Sequence, residues 1–198
     1  MNRNAGGIDA TVKIVECLLS SVVVLAAIMA VNGQTALPPN SAAATKTDAP
    51  VFDAVALDSI RLDSTALRGK VLVIEFWFTG CEPCVEDIPK LNDLVDQFKE
   101  RDVVFIAPTW DNEPILRAFL KEHPFKYHII PNAKDLILRA CKDGEGNIVV
   151  PVRLVISKEG KIDFTSDGGF STEKVGQKRY DDLRGAIERA VNAAPTAK

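Results

Sequence analysis

The sequence predicts an α/β domain with a central mixed β-sheet flanked by helices, and three stretches carry that expectation. Val71-Leu72-Val73-Ile74 opens an apolar run that resumes after Glu75 as Phe76-Trp77-Phe78. Val85, Ile88, Leu91, Leu94, Val95 and Phe98 then recur at three- and four-residue steps, one face of an amphipathic helix. Val103 to Ala107 is a second buried strand, and the helical stretch between the two makes them a βαβ crossover with parallel strands. Val149 to Ile156 is a third core strand; Lys158-Glu159-Gly160-Lys161 turns the chain so that Lys161 to Thr165 pairs back antiparallel, which makes the sheet mixed.

The remaining elements follow in order. Residues 1–13 are polar, with Arg3 and Lys13 against Asp9, and Cys17 to Val31 is almost wholly apolar, the pattern of a secretory signal cut after Gly33. Left uncut, Ile14 to Val31 is a short membrane anchor with Glu16 near its edge, and both readings of 1–33 stand. Residues 34–49 are rich in Pro, Ala and Thr and read as a flexible tether. The folded domain is expected over 50–192, with 193–198 a loose end. Phe52, Val55 and Leu57 mark one short strand and Ile60 and Leu62 another, both N-terminal to the main sheet. Between the second and third core strands lies an inserted segment: a helix over Pro114 to Leu120, a short strand within His123 to Pro131, and a helix over Ala133 to Cys141 that ends at the Gly144 and Gly146 turns. Apolar residues at 180, 183, 187 and 191 give a final amphipathic helix, Tyr180 to Val191.

Composition bounds the function. Of 198 residues, 46% are apolar and 26% charged, which suits a packed core. Net charge is −3 and no long basic run occurs, which argues against nucleic acid as a partner. Of the four cysteines, only Cys81 and Cys84 are close in sequence, so they read as a redox motif rather than a disulfide framework.

Cys81-Glu82-Pro83-Cys84 stands where the central strand hands over to the helix. Unpaired backbone N–H groups and the positive end of the helix dipole favour a thiolate there. Pro83 suits an early helical position, where its missing N–H costs nothing. Cys81, nearer the helix start and more exposed, is the candidate nucleophile, and Cys84, one turn in, the resolving thiol. A structural zinc site would need two further ligands; the chain offers only His123, His128 and Cys141, at no suitable spacing, so no metal is assigned. The two histidines read as surface residues, and Cys141, beside Leu136, Ile137 and Ala140, as a buried structural thiol.

Several neighbours are candidates for supporting roles. Glu75 interrupts an apolar strand; if buried, its carboxyl is raised and holds a proton near neutral pH, and the alternative is an edge-strand acid facing solvent. Glu82 places negative charge between the sulfurs and opposes thiolate formation, which makes the pair a reductant; equally it reads as a solvated first-turn acid. Asp87 is either a second acid near the dithiol or an ordinary helix residue. Pro151 precedes a core strand, a position where proline needs a special reason.

Phe76-Trp77, Cys81-Glu82-Pro83-Cys84 and Pro89 resemble the active site of thioredoxin-fold proteins, and most of all the TlpA/ResA group of exported bacterial thiol–disulfide reductases. Ala49-Pro50-Val51-Phe52 resembles the start of redoxin domains. The likeness spans roughly residues 49 to 190. Two positions depart from it: Gly80 stands where thioredoxins usually have Trp, and Asp87 where the group usually has Glu. The resemblance implies a thioredoxin-like fold with the N-terminal strands as additions. It also implies that Glu75 assists deprotonation of Cys84. The Val150–Pro151 bond is then cis and faces the cysteines, the Val150 backbone pairs with an extended substrate, and Trp77 and Pro83 line the site.

No cofactor is implied beyond the redox-active Cys81–Cys84 disulfide. Expected partners are protein disulfide or dithiol substrates, apocytochrome c among them, and a membrane electron donor for re-reduction. The expected place is the periplasm or the outer face of the cytoplasmic membrane. A disulfide-forming oxidase, a copper-delivery module and a peroxiredoxin are the rivals. The oxidase usually has a histidine between its cysteines, the copper protein spaces them by three and adds a distant histidine, and the peroxiredoxin needs a fixed Thr/Pro pattern.

Overall fold

A computed structural model of the chain describes residues 47–170 and 173–194. The signal or anchor, most of the tether, and the last residues of the chain lie outside that range. Among the described residues no helix is long and apolar enough to cross a membrane.

The described residues open with a two-stranded antiparallel ribbon, β1 (Asp53–Val55) and β2 (Arg61–Asp63), followed by the central strand β3 (Val71–Phe76). Helix α1 (Glu82–Phe98) leads to β4 (Val103–Pro108), which pairs parallel to β3. The inserted segment comprises α2 (Glu113–Glu122), β5 (His128–Ile130) and α3 (Lys134–Ala140). Its strand joins the sheet parallel to β4. β6 (Val152–Ile156) and β7 (Ile162–Asp167) form the antiparallel hairpin, and α4 (Glu173–Asn192) closes the fold. The five-stranded sheet runs β5-β4-β3-β6-β7.

All six residues of β3 are buried because both faces of the sheet are covered. Side chains alternate along the strand. Val71 and Val73 therefore join Ile88, Leu91 and Leu94 of α1 and Leu183, Ile187 and Ala190 of α4. Leu72, Ile74 and Phe76 join Phe52 and Leu62 from the ribbon region and Leu136 and Ile137 of α3. Glu75, by the same alternation, points towards α1.

The largest boundary differences from the sequence reading fall in three places, each for a physical reason. β6 begins at Val152 rather than Val149, because Pro151 has no N–H to give the ladder. α4 begins at Glu173 rather than Tyr180; Val175 in its first turns is 55% exposed, so no apolar period marks them. Thr47 to Ala49, which the sequence assigns to the end of the tether, lie along the β6–β7 turn: Ile162 N–H donates to the Thr47 carbonyl and Ala49 N–H to that of Gly160. Backbone pairing of that kind leaves no hydropathy signature.

Candidate active site

Cys81 is the N-cap of α1 and Cys84 lies within its first turn; the two sulfurs are joined in a disulfide, with their Cα atoms 5.3 Å apart. No side chain caps this helix end. Its free N–H groups and dipole therefore act on the sulfurs rather than on a capping oxygen. Cys81 is 6% exposed and Cys84 1%, so Cys81 is the more accessible of the two. Glu82 is exposed and Pro83 half-buried beside them.

The turn before Cys81 is held from outside. Thr79 N–H donates to Asp111 Oδ2 at 2.7 Å, and the Thr109 hydroxyl donates to the same oxygen at 3.3 Å. Cys81 N–H closes the turn onto the Phe78 carbonyl at 3.0 Å. Phe78 packs against Trp110 in a tilted pair with ring centroids 4.5 Å apart. Asp111, Thr109 and Trp110 do not stand out in the sequence; nothing in a loop after a strand distinguishes a residue that reaches back 32 positions.

Trp77 is 1% exposed, packed against Phe119 and Phe125 at 5.6 and 5.4 Å. It forms a buried wall of the core there, with Phe119 of α2 and Phe125 against its ring. Val150–Pro151 is a cis peptide. It stands just before β6, whose first residue pairs with Phe76, so it lies at the sheet end from which the chain runs on to Cys81. Val150 is half-buried and Pro151 buried.

A buried ionic cluster forms around Asp87, three residues after Cys84 on α1. Glu75 is 1% exposed and does not face solvent. Its partner is Arg153, directly opposite on β6 and 0% exposed. Arg153 Nε lies 2.6 Å from Glu75 Oε2, and its Nη2 donates to Glu75 Oε1 at 3.1 Å. The same Nη2 donates to Asp87 Oδ2 at 2.6 Å, and Nη1 to the Gly168 carbonyl at 2.7 Å. Asp87 also accepts the Phe170 N–H, at 2.8 and 3.0 Å to its two oxygens. The guanidinium lies 4.0 Å from the centre of the Phe170 ring. Asp87 is thus a buried acid of the site region, not an ordinary exposed helix residue.

Burial pushes the Glu75 carboxyl up to about 8; Arg153 pulls against that and the Asp87 charge adds to it. Burial raises Asp87 too, opposed by Arg153 and by the Phe170 N–H. In the sequence Arg153 reads only as part of a strand, although it interrupts an apolar run just as Glu75 does. Two opposite charges in two core strands are the available signal.

Cys141 is the C-cap of α3, and burial pushes its thiol up to about 12. His128 pairs with Asp58 at 2.6 Å and His123 stacks on Phe119 at 4.4 Å. Among the described residues no three His, Cys, Asp or Glu side chains gather as a metal ion would require.

A family model described as Redoxin matches residues 39–183. A thiol-disulfide oxidoreductase ResA of Bacillus cereus is 26% identical over 144 residues, 72% of this chain and 76% of that protein. The ResA of Geobacillus thermodenitrificans is 26% identical over 166 residues, 81% and 92% of the two chains. A crystal structure of a thiol:disulfide interchange protein, a thioredoxin family protein from Chlorobium tepidum TLS, superposes with a TM-score of 0.61 at 25% identity, over 75% of this chain and 99% of that one.

Proposed function

Because the chain belongs to the redoxin family and is a thiol–disulfide oxidoreductase, we propose that it works as an exported reductase of protein disulfides. The observation that carries this reading is the Cys81–Cys84 disulfide at an uncapped helix start, with the buried Glu75 on the strand that leads to it. Thiolate Cys81 attacks one sulfur of a substrate disulfide, and the other substrate sulfur leaves as thiolate. Cys84 passes its proton to ionised Glu75 and attacks the Cys81 sulfur. The Cys81–substrate bond breaks, the second substrate sulfur leaves reduced, and the Cys81–Cys84 disulfide forms. Two electrons have passed to the substrate, and a membrane electron donor restores the dithiol.

Val150 and Pro83 flank the path by which an extended substrate segment meets Cys81, and Pro151 shapes that edge. Exposed Glu82 disfavours a thiolate on the nearby sulfurs, which favours the disulfide state and so a reducing pair. The apolar stretch before Val31 directs export, cleaved or retained as an anchor. Exported proteins with disulfides, apocytochrome c among them, are the proposed substrates.

The reduction potential of the Cys81–Cys84 pair in the full chain tests the direction. A value near or below roughly −270 mV supports the reductase. A value near about −120 mV overturns it in favour of a disulfide-forming oxidase.

A further inference from the structure

The buried ionic cluster has an uneven charge count. Glu75 and Asp87 carry two negative charges when ionised, and Arg153 supplies one positive. All three side chains are 1% exposed, so water does not balance the difference. A buried site that cannot import a counter-ion neutralises itself by keeping one proton. The hydrogen bonds decide where that proton rests. Asp87 accepts the Phe170 N–H on both oxygens as well as Arg153, and such bonds favour its ionised form. Glu75 has Arg153 alone. The exchangeable proton therefore belongs to Glu75.

We propose that Arg153 is a positioning residue for the dithiol: one guanidinium, locked to Glu75 and Asp87 together, makes the two carboxylates a single unit that carries one exchangeable proton behind Cys84. Three connections support it. Asp87 follows Cys84 by three residues on α1, so both lie on one helix face. Arg153 ties that face to β3 through Glu75 and to the Gly168 carbonyl after β7. The Phe170 ring covers the guanidinium. Within this unit Arg153 and Asp87 oppose each other: the cation draws the proton off Glu75, and the second carboxylate drives it back on. The exchange is Glu75–COO⁻ plus Cys84–SH giving Glu75–COOH plus Cys84–S⁻, with no other reactant.

Among the described residues, four other groups enter the electrostatics of this cluster. Tyr127, before β5, has a buried hydroxyl without a hydrogen-bond partner; burial first, then the Glu75 charge, raises it. Tyr180 of α4 acts on Tyr127. Lys90 of α1 acts on Asp87. The Cys141 thiol feels Glu75 weakly beside its own burial. None of them bonds to Glu75, so Arg153 and Asp87 are the two levers.

The inference rests on the reading of Glu75 as the proton holder, and the test separates the two. The reduced full chain is mixed with the chromogenic disulfide of thionitrobenzoate across roughly pH 5 to 9. The first thionitrobenzoate released reports attack by Cys81; the second reports resolution by Cys84. In the wild type the second step is expected to rise through one inflection. Arg153→Met should move that inflection up by about one pH unit or more, and Asp87→Asn should move it down by a similar amount. Glu75→Gln should abolish the inflection.

If Glu75→Gln leaves the inflection in place, the Glu75 reading fails and this inference with it. If Glu75→Gln abolishes it while Arg153→Met and Asp87→Asn leave it unmoved, or move it the same way, the inference alone is overturned. Should Arg153→Met not fold, Asp87→Asn decides: an inflection that stays unmoved or moves up overturns the proposal. An oxidase rather than a reductase would show in the reduction potential and leave these shifts intact.

Discussion

Glu75 shows what one buried charge does to a small protein. Its carboxyl ionises at about 8 when folded against 4.5 when free, because burial outweighs the pull of Arg153. A carboxyl raised on folding makes the native state bind more protons than the unfolded state between those values, so stability falls as pH rises through that window. At about 1.4 kcal/mol per unit, the loss is capped at about 5 kcal/mol. Asp87, also raised, adds to the same slope. We expect denaturant unfolding of the wild type to show declining stability from about pH 5 to 8, and Glu75→Gln to flatten most of that decline. A wild-type stability that stays level or climbs over the window would contradict this. Glu75 is legible in the sequence as an acid in an apolar strand. Arg153 opposite it carries the same signal, but its value depends on register, which pairs residues 78 positions apart.

At the scale of elements, the placement of α1 depends on how closely the chain after β7 passes it. A Cβ at Gly169 would meet Pro83 Cβ at 2.8 Å, and a Cβ at Gly176 in α4 would fall on the Phe170 carbonyl group. Helix propensity alone favours Gly176→Ala by about 1 kcal/mol. The clash is with backbone, which no rotamer relieves, and overpacking costs about 1–3 kcal/mol or more. We expect the clash to win, so Gly176→Ala should lower the melting temperature. Because Phe170 N–H holds Asp87, the substitution should also slow resolution by Cys84. A variant as stable as the wild type would show that α4 can move aside at no cost. The first turns of α4 escape the sequence reading for a related reason: this helix start packs through a glycine, not through apolar side chains.

For the whole molecule, the described fold is closed by backbone pairing at its N-terminal edge. Thr47 and Ala49 each make one hydrogen bond with the Gly160–Ile162 turn, and Asp48 pairs with Lys161 at 2.8 Å. We expect a chain starting at residue 47 to fold alone, since the cores on both faces of the sheet draw on later residues. It should unfold in one transition and keep the reduction potential of the full chain. A chain starting at residue 52 loses both hydrogen bonds, about 1 kcal/mol each, and should melt earlier without losing the sheet. Equal stability of the two would show that the edge contributes nothing.

The sequence alone determined the strand–helix junction, the dithiol upon it, the order of elements and the proline before the third core strand. Those features are written in local periods and short spacings, which neighbouring residues set among themselves. It also marked Glu75 and Asp87 as acids worth following. Only the tertiary structure decided that they are one unit. Arg153 comes from a strand paired antiparallel to β3, Phe170 from the segment after the next strand, and Asp111 from the loop after β4. These contacts join residues from 32 to 83 positions apart. Register, burial and the crossing of α4 over the sheet set such distances, and no local pattern records them.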